Sequence, residues 1–75
     1  SNIQEEKSSF ERSMEENLGH VLSIFRYLVS LYQKALDITD AEGDDVTNDI
    51  FVGAKAELEK HIWMIAAELG QAPGL

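Results

Sequence analysis

Cysteine is absent from this chain, which excludes a disulfide-stapled miniprotein, a zinc finger of the cysteine type and any thiol nucleophile. Basic residues are scarce: six lysines and arginines stand against fourteen aspartates and glutamates, for a net charge of −8. A surface that acidic repels phosphate backbones, so nucleic acid is not an expected partner of this chain by itself. No apolar run approaches the roughly 18 residues of a membrane span, and the opening residues do not read as a signal peptide. There is no glycine-rich phosphate loop, and no serine or histidine has the partners of a nucleophilic triad. What is present suits folding: 44% of residues are apolar and 27% charged, an ordinary balance for a globular chain. Seventy-five residues leave room for one small unit and no second domain. The expectation is a soluble, acidic, intracellular-looking fragment or mini-domain.

Residues 1–12 are polar apart from Ile3 and Phe10 and read as an exposed lead-in. Ser13-Met14-Glu15-Glu16 then has the form of a capping box, in which serine and glutamate satisfy free backbone donors reciprocally. From there a 4,3 spacing through Met14, Leu18, Val21, Phe25, Leu28, Tyr32 and Ala35 predicts a helix. Rows at seven-residue intervals flank that stripe, Leu22, Val29 and Leu36 on one side and Ile24, Leu31 and Ile38 on the other. About four positions in seven are apolar, more than the single stripe of a surface helix. Such a helix has to bury itself against more than one neighbour.

The segment from Asp37 to Asp49 carries six carboxylates and no basic residue. Gly43 within it suits a helix end or turn, and Asp44 or Asp45 suits the next N-cap. A second helix is predicted from about Val46 to Leu69, with Ile50, Phe51, Ala54, Leu58, Ile62, Ile65 and Leu69 at helical spacing. Gly70 ends it, and the lone proline, Pro73, prevents its resumption. Residues 70–75 are then a short C-terminal tail. Two helices joined by a turn make an antiparallel pair, and a pair encloses no complete core. The fold class is all-α, and the pair must complete a bundle with something else. Leu28 and Ile62 are expected to be inaccessible to solvent once it does.

Asp45 and Asp49, four residues apart, share a helix face, and Asp40 sits at the end of the preceding helix. Carboxylate oxygens are hard ligands suited to hydrated divalent cations. Taken alone, though, the segment reads as a solvated acidic turn with Asp44 or Asp45 capping a helix. An EF-hand is excluded, because Gly43 at its turn would require a ligand at position 38, which is isoleucine. His20 and His61 each follow a glutamate, Glu16 and Glu57, by four residues, which misses the three-residue Glu-x-x-His spacing of helix-bundle carboxylate metal sites. Intrahelical ion pairs or interface positions are the simpler account of both, against a metal held by two such pairs in a self-paired hairpin. Trp63, Met64 and Phe51 read as core or interface packing rather than as a cofactor box.

The stretch Thr39-Asp40-Ala41-Glu42-Gly43-Asp44-Asp45-Val46-Thr47-Asn48-Asp49-Ile50 resembles the turn between the last two bundle helices of the Dps mini-ferritins, a branch of the ferritin-like superfamily. Glu59-Lys60-His61-Ile62-Trp63-Met64, followed by Leu69-Gly70-Gln71-Ala72-Pro73, looks like the end of that family's last helix. Met14 to Ile38 keeps register with its third helix, and Ser1-Asn2-Ile3-Gln4-Glu5 is similar to the loop after its second. The resemblance implies that the chain is the second antiparallel helix pair of a ferritin-like four-helix bundle, the C-terminal half of a subunit. Its first pair would be the N-terminal half of the same subunit, cut away or on a separate chain. The family's iron-oxidising residues, a histidine on the first helix and an aspartate and a glutamate on the second, have no counterpart here. Its lysine-rich N-terminal tail is absent too.

By that resemblance the whole protein is a homo-oligomeric, dodecameric cage of the bacterial cytoplasm and nucleoid. It would oxidise ferrous iron with peroxide or oxygen, store the ferric mineral and protect DNA from hydroxyl radicals. Iron is its metal, bound mostly by the other half, and no catalytic residue is expected on this chain. Asp40, Asp45 and Asp49 match the aspartates that line a pore at a three-fold axis and draw ferrous iron inward. DNA, if bound, would be bound by the whole protein and not through this acidic half, and no membrane is involved. The contrasting reading is a stand-alone helical hairpin that dimerises into a four-helix bundle as a protein-interaction module.

Overall fold

A computed structural model describes residues 7–70, and they form two α-helices and no strand. Helix α1 spans Ser9–Ala41 and α2 spans Asp45–Glu68. At 1.5 Å per residue their 33 and 24 residues extend about 50 and 36 Å. The longer α1 therefore runs past the end of its partner, which leaves Phe10 and Met14 uncovered.

Helix α1 begins four residues before the Ser13 box. Its N-cap is Ser8, whose hydroxyl oxygen accepts a hydrogen bond from the Glu11 amide at 3.0 Å. Ser8-Ser9-Phe10-Glu11 has the same Ser-x-x-Glu form as the later box, and nothing between the two opposes helix. The earlier cap wins because each residue added beyond a formed nucleus gains a backbone bond. An ion pair from Lys7 to Glu15 lies along the added turns. Residues 7–12 are exposed, and helical from Ser9. Residues 1–6 and 71–75, the rest of the lead-in and of the tail, lie outside the described residues.

The turn follows the chemistry of its sequence. Gly43 adopts φ of +68°, a left-handed conformation that a side chain disfavours. Asp44 is the N-cap of α2, its carboxylate accepting from the Thr47 amide at 3.1 Å. Gly70, also left-handed at φ of +70°, follows the C-cap Leu69.

The seam between the helices is built from Leu22 and Val29 of α1 and Ile62 and Ala66 of α2, with Phe25, Leu58, Ile65 and Leu69 packed around them. Tyr32 and Phe51 meet at a tilted angle with ring centroids 5.9 Å apart. Lys55 spans the seam nearer the turn, donating to the Gln33 side-chain carbonyl at 2.8 Å and pairing with Glu59 at 3.4 Å. The row Leu22–Val29 faces α2, whereas the Met14–Ala35 stripe flanks the seam, its Leu28 half-buried. Ile62 is fully buried within the pair already.

The third row faces away. Ile24, Leu31 and Ile38 are 57%, 39% and 58% exposed, with Tyr27 beside them. On α2, Val46, Ile50, Val52, Trp63 and Met64 are exposed as well. So much uncovered apolar surface on so small a fold marks a binding face. The pair has one closed seam and open faces on both helices.

Candidate functional site

At the acidic corner lies Thr39, the one buried polar residue among those described. Thr39 falls on the seam-facing row of α1, one step after Leu36. Its hydroxyl donates to the Ala35 carbonyl at 2.9 Å. In return the hydroxyl oxygen accepts from the Asn48 side-chain amide at 3.0 Å, and Asn48 also donates to the Leu36 carbonyl at 3.2 Å. The backbone carbonyl of Thr39 accepts from the Asp44 amide at 2.8 Å. Thr39 thus joins the end of α1 to both the cap and the first turn of α2. No buried side-chain polar atom among the described residues lacks a partner.

The three aspartates singled out from the sequence surround this joint. Asp40 directly follows Thr39, Asp45 directly follows Asp44, and Asp49 directly follows Asn48. All three are exposed. Asp44 differs from them in role. Hydrogen bonds from the Thr47 side chain and then its amide hold the Asp44 carboxyl below its ordinary value, as befits a cap. Among the described residues no three His, Asp or Glu side chains gather closely enough to hold a metal. Asp40, Asp45 and Asp49 of one chain do not form such a group.

The histidines do not converge on a metal group either. Both are exposed, and His61 Nε2 lies 3.8 Å from the Glu57 carboxylate one turn earlier, the intrahelical pair expected of that spacing. At the far end of the pair an open notch of about 370 Å³ is lined by Arg12, Glu15, Glu16, Gly19 and Leu69. It is shallow and holds no constellation suited to acid–base or nucleophilic work. Neither helix is long and apolar enough to cross a membrane.

Sequence reasoning passed over Thr39 and Asn48. The signal was present: Leu22, Phe25, Val29, Tyr32, Leu36 and Thr39 continue one 3,4 spacing, and so do Asn48, Phe51, Lys55, Leu58 and Ile62. A polar residue on a seam-facing row has to find a partner across the seam, and these two find each other.

An antiparallel helix pair with one closed seam, further apolar faces and a pinned acidic corner is the class of half-bundle from which four-helix bundles are built. All 75 residues match the ferritin-like domain family, and the chain belongs to that family, in its Dps-type branch. It is 55% identical over its whole length to the DNA protection during starvation protein of Streptococcus suis strain P1/7, of which it covers 44%. It is 37% identical over 71 residues, 95% of its length, to the protein of that name from Listeria innocua, covering 46% of it. To general stress protein 20U of Bacillus subtilis it is 30% identical over 56 residues, 75% of its length and 39% of that protein. The chain thus spans less than half the length of the curated relatives it matches.

Proposed function

We propose that this chain is the second helix pair of a Dps-type subunit whose assembled cage oxidises ferrous iron, stores it as ferric mineral and protects DNA. The observation that carries the reading is the 55% identity, over every residue, to a protein named for DNA protection during starvation. The first helix pair comes from the rest of the subunit and covers the flank beside the seam. The row Ile24, Leu31 and Ile38, on the side of α1 away from α2, is left for contacts with neighbouring subunits. Oxidation chemistry resides on the first pair, where the family's histidine, aspartate and glutamate lie. This pair contributes core, subunit contacts and an entrance.

The entrance is the acidic corner. Where three subunits meet, Asp40, Asp45 and Asp49 from each supply a ring of carboxylates around one narrow opening. A low-dielectric opening focuses the negative potential and raises the arrival rate of ferrous iron by a factor of about 10 to 1000. Iron is substrate and cargo here. The net charge of −8 keeps this half away from phosphate backbones, so any contact with DNA lies elsewhere on the protein. The working compartment is the bacterial cytoplasm and nucleoid.

The test is to add ferrous iron to the assembled protein with dioxygen or peroxide. The expected result is ferrous oxidation faster than in protein-free buffer, with ferric iron co-migrating with the particle. Oxidation at the protein-free rate with no retained iron would overturn the reading.

A further inference from the structure

We propose that Thr39 is a positioning residue for the iron entrance: its hydroxyl fixes the placement of the carboxylates of Asp40, Asp45 and Asp49. The inference rests on the entrance reading above and adds to it a device that the acidic residues themselves do not contain. Each candidate carboxylate belongs to the residue immediately after a member of one hydrogen-bonded joint. Thr39 precedes Asp40, Asp44 precedes Asp45, and Asn48 precedes Asp49. Thr39 bonds to both of the other members, through its carbonyl to the Asp44 amide and through its hydroxyl to the Asn48 side chain.

Adjacent residues on a helix differ by about 100° in direction and 1.5 Å in height, so fixing Thr39 and Asn48 fixes the backbone at Asp40 and Asp49, while Asp45 opens α2 directly after its N-cap Asp44. The joint points inward and is half-buried or buried at Asn48 and Thr39, whereas the aspartates point outward and are exposed. Asn48 makes a bidentate reach, to the Leu36 carbonyl at 3.2 Å and the Thr39 hydroxyl at 3.0 Å. This sets the start of α2 against the last turn of α1 in both height and rotation. Exposed carboxylates on an untied turn would adjust outward to relieve their mutual repulsion. A focused potential depends on holding like charges together, and the joint supplies the rigidity that their repulsion opposes.

The substitution Thr39→Val keeps the branched shape and the backbone bond to Asp44 but removes the hydroxyl. Thr39→Ser restores a hydroxyl. The assay is initial ferrous oxidation by the assembled protein, resolved into KM for ferrous iron and kcat. For Thr39→Val the account expects KM raised by about three-fold or more as the focused field weakens, with kcat within about two-fold of the parent. Thr39→Ser should return KM to the parent value. A change confined to thermal stability, with KM unmoved in an assembled Thr39→Val protein, overturns the proposal.

The triple substitution Asp40→Asn, Asp45→Asn and Asp49→Asn separates the two levels. If it leaves KM unchanged, the entrance reading falls and the proposal with it. If it raises KM while Thr39→Val does not, the entrance stands and the positioning role of Thr39 falls. Should Thr39→Val not assemble, Asn48→Ala, which leaves the Thr39 bond to Ala35 in place, takes its part in the same comparison. Loss of assembly by both variants also overturns the proposal, because the joint would then serve folding as a whole.

Discussion

Ile62 and Ile24 are the same side chain in two environments, and truncating each to alanine separates what the pair covers from what its partners must cover. Ile62 is 0% exposed between Leu22, Val29 and Ala66. Ile62→Ala removes three buried carbons, about 2.4 kcal/mol of transfer free energy at roughly 0.8 kcal/mol each. Because the rigid seam collapses only partly into the space left, a cavity term adds to this and the cost reaches about 3–4 kcal/mol. Ile24 is 57% exposed in the pair, so less than half of its transfer term operates there. The better helix propensity of alanine offsets about 0.5 kcal/mol of that, leaving a net cost near 0.5 kcal/mol for a free pair. If a neighbouring subunit covers the row, the cost of Ile24→Ala rises to the buried range of about 2–5 kcal/mol. Denaturant unfolding of the assembled protein, with each variant compared at fixed subunit concentration, measures both. A cost below about 0.5 kcal/mol for Ile62→Ala would refute the seam. A large cost for Ile62→Ala with a negligible one for Ile24→Ala would refute burial of the outer row.

Further expectations follow from the same geometry. Leu28→Ala, half-buried in the pair, should cost about 2–5 kcal/mol in the assembly if the proposed first helix pair closes over it. Gly43→Ala should destabilise by about 1–2 kcal/mol through its φ of +68° alone, because nothing lies within 4 Å of the added carbon, and Gly43→Asn by less. The Asp44 carboxyl is held below its ordinary value of 3.8 by the bonds from Thr47, so its contribution is present above that pH and disappears as pH falls through the lowered value. Melting temperature followed from pH 6 downward should therefore drop further in the parent than in Asp44→Asn; parallel curves would remove the cap from the acid response. The triple aspartate-to-asparagine variant should assemble, since all three residues are exposed and the capping Asp44 is untouched, yet take up iron more slowly at low ferrous concentration. Added salt should narrow that difference by screening the parent's field.

The helices, their antiparallel sense and the turn were legible in the sequence because each had a local cause. The 4,3 spacing of apolar residues, the left-handed glycine at position 43 and the capping aspartate at 44 act within one or two turns of the chain. Two features were not legible in the same way. The start of α1 was ambiguous because Ser8 and Ser13 both head a Ser-x-x-Glu box, and continuity of the helix decided for Ser8. The inward row was ambiguous because α1 is apolar around more than half its circumference, so periodicity alone could not say which row meets α2. Packing chose Leu22 and Val29 and left Ile24, Leu31 and Ile38 outside. The acidic residues could be picked out from their density, but the joint that carries them links residues nine apart across the turn and emerges only in three dimensions. Whether carboxylates converge depends on copies of the chain, and no pattern within 75 residues encodes that.

The central claim is that this helix pair is one half of a subunit in a much larger shell. Sedimentation of the purified protein at micromolar concentration, with intact masses of every polypeptide in the sedimenting species, tests it directly. The account predicts a particle many times heavier than the 8.4 kDa chain, in which the first helix pair is present as a longer chain or a companion polypeptide. A well-folded 8.4 kDa monomer, or a bare dimer of this chain, would contradict it.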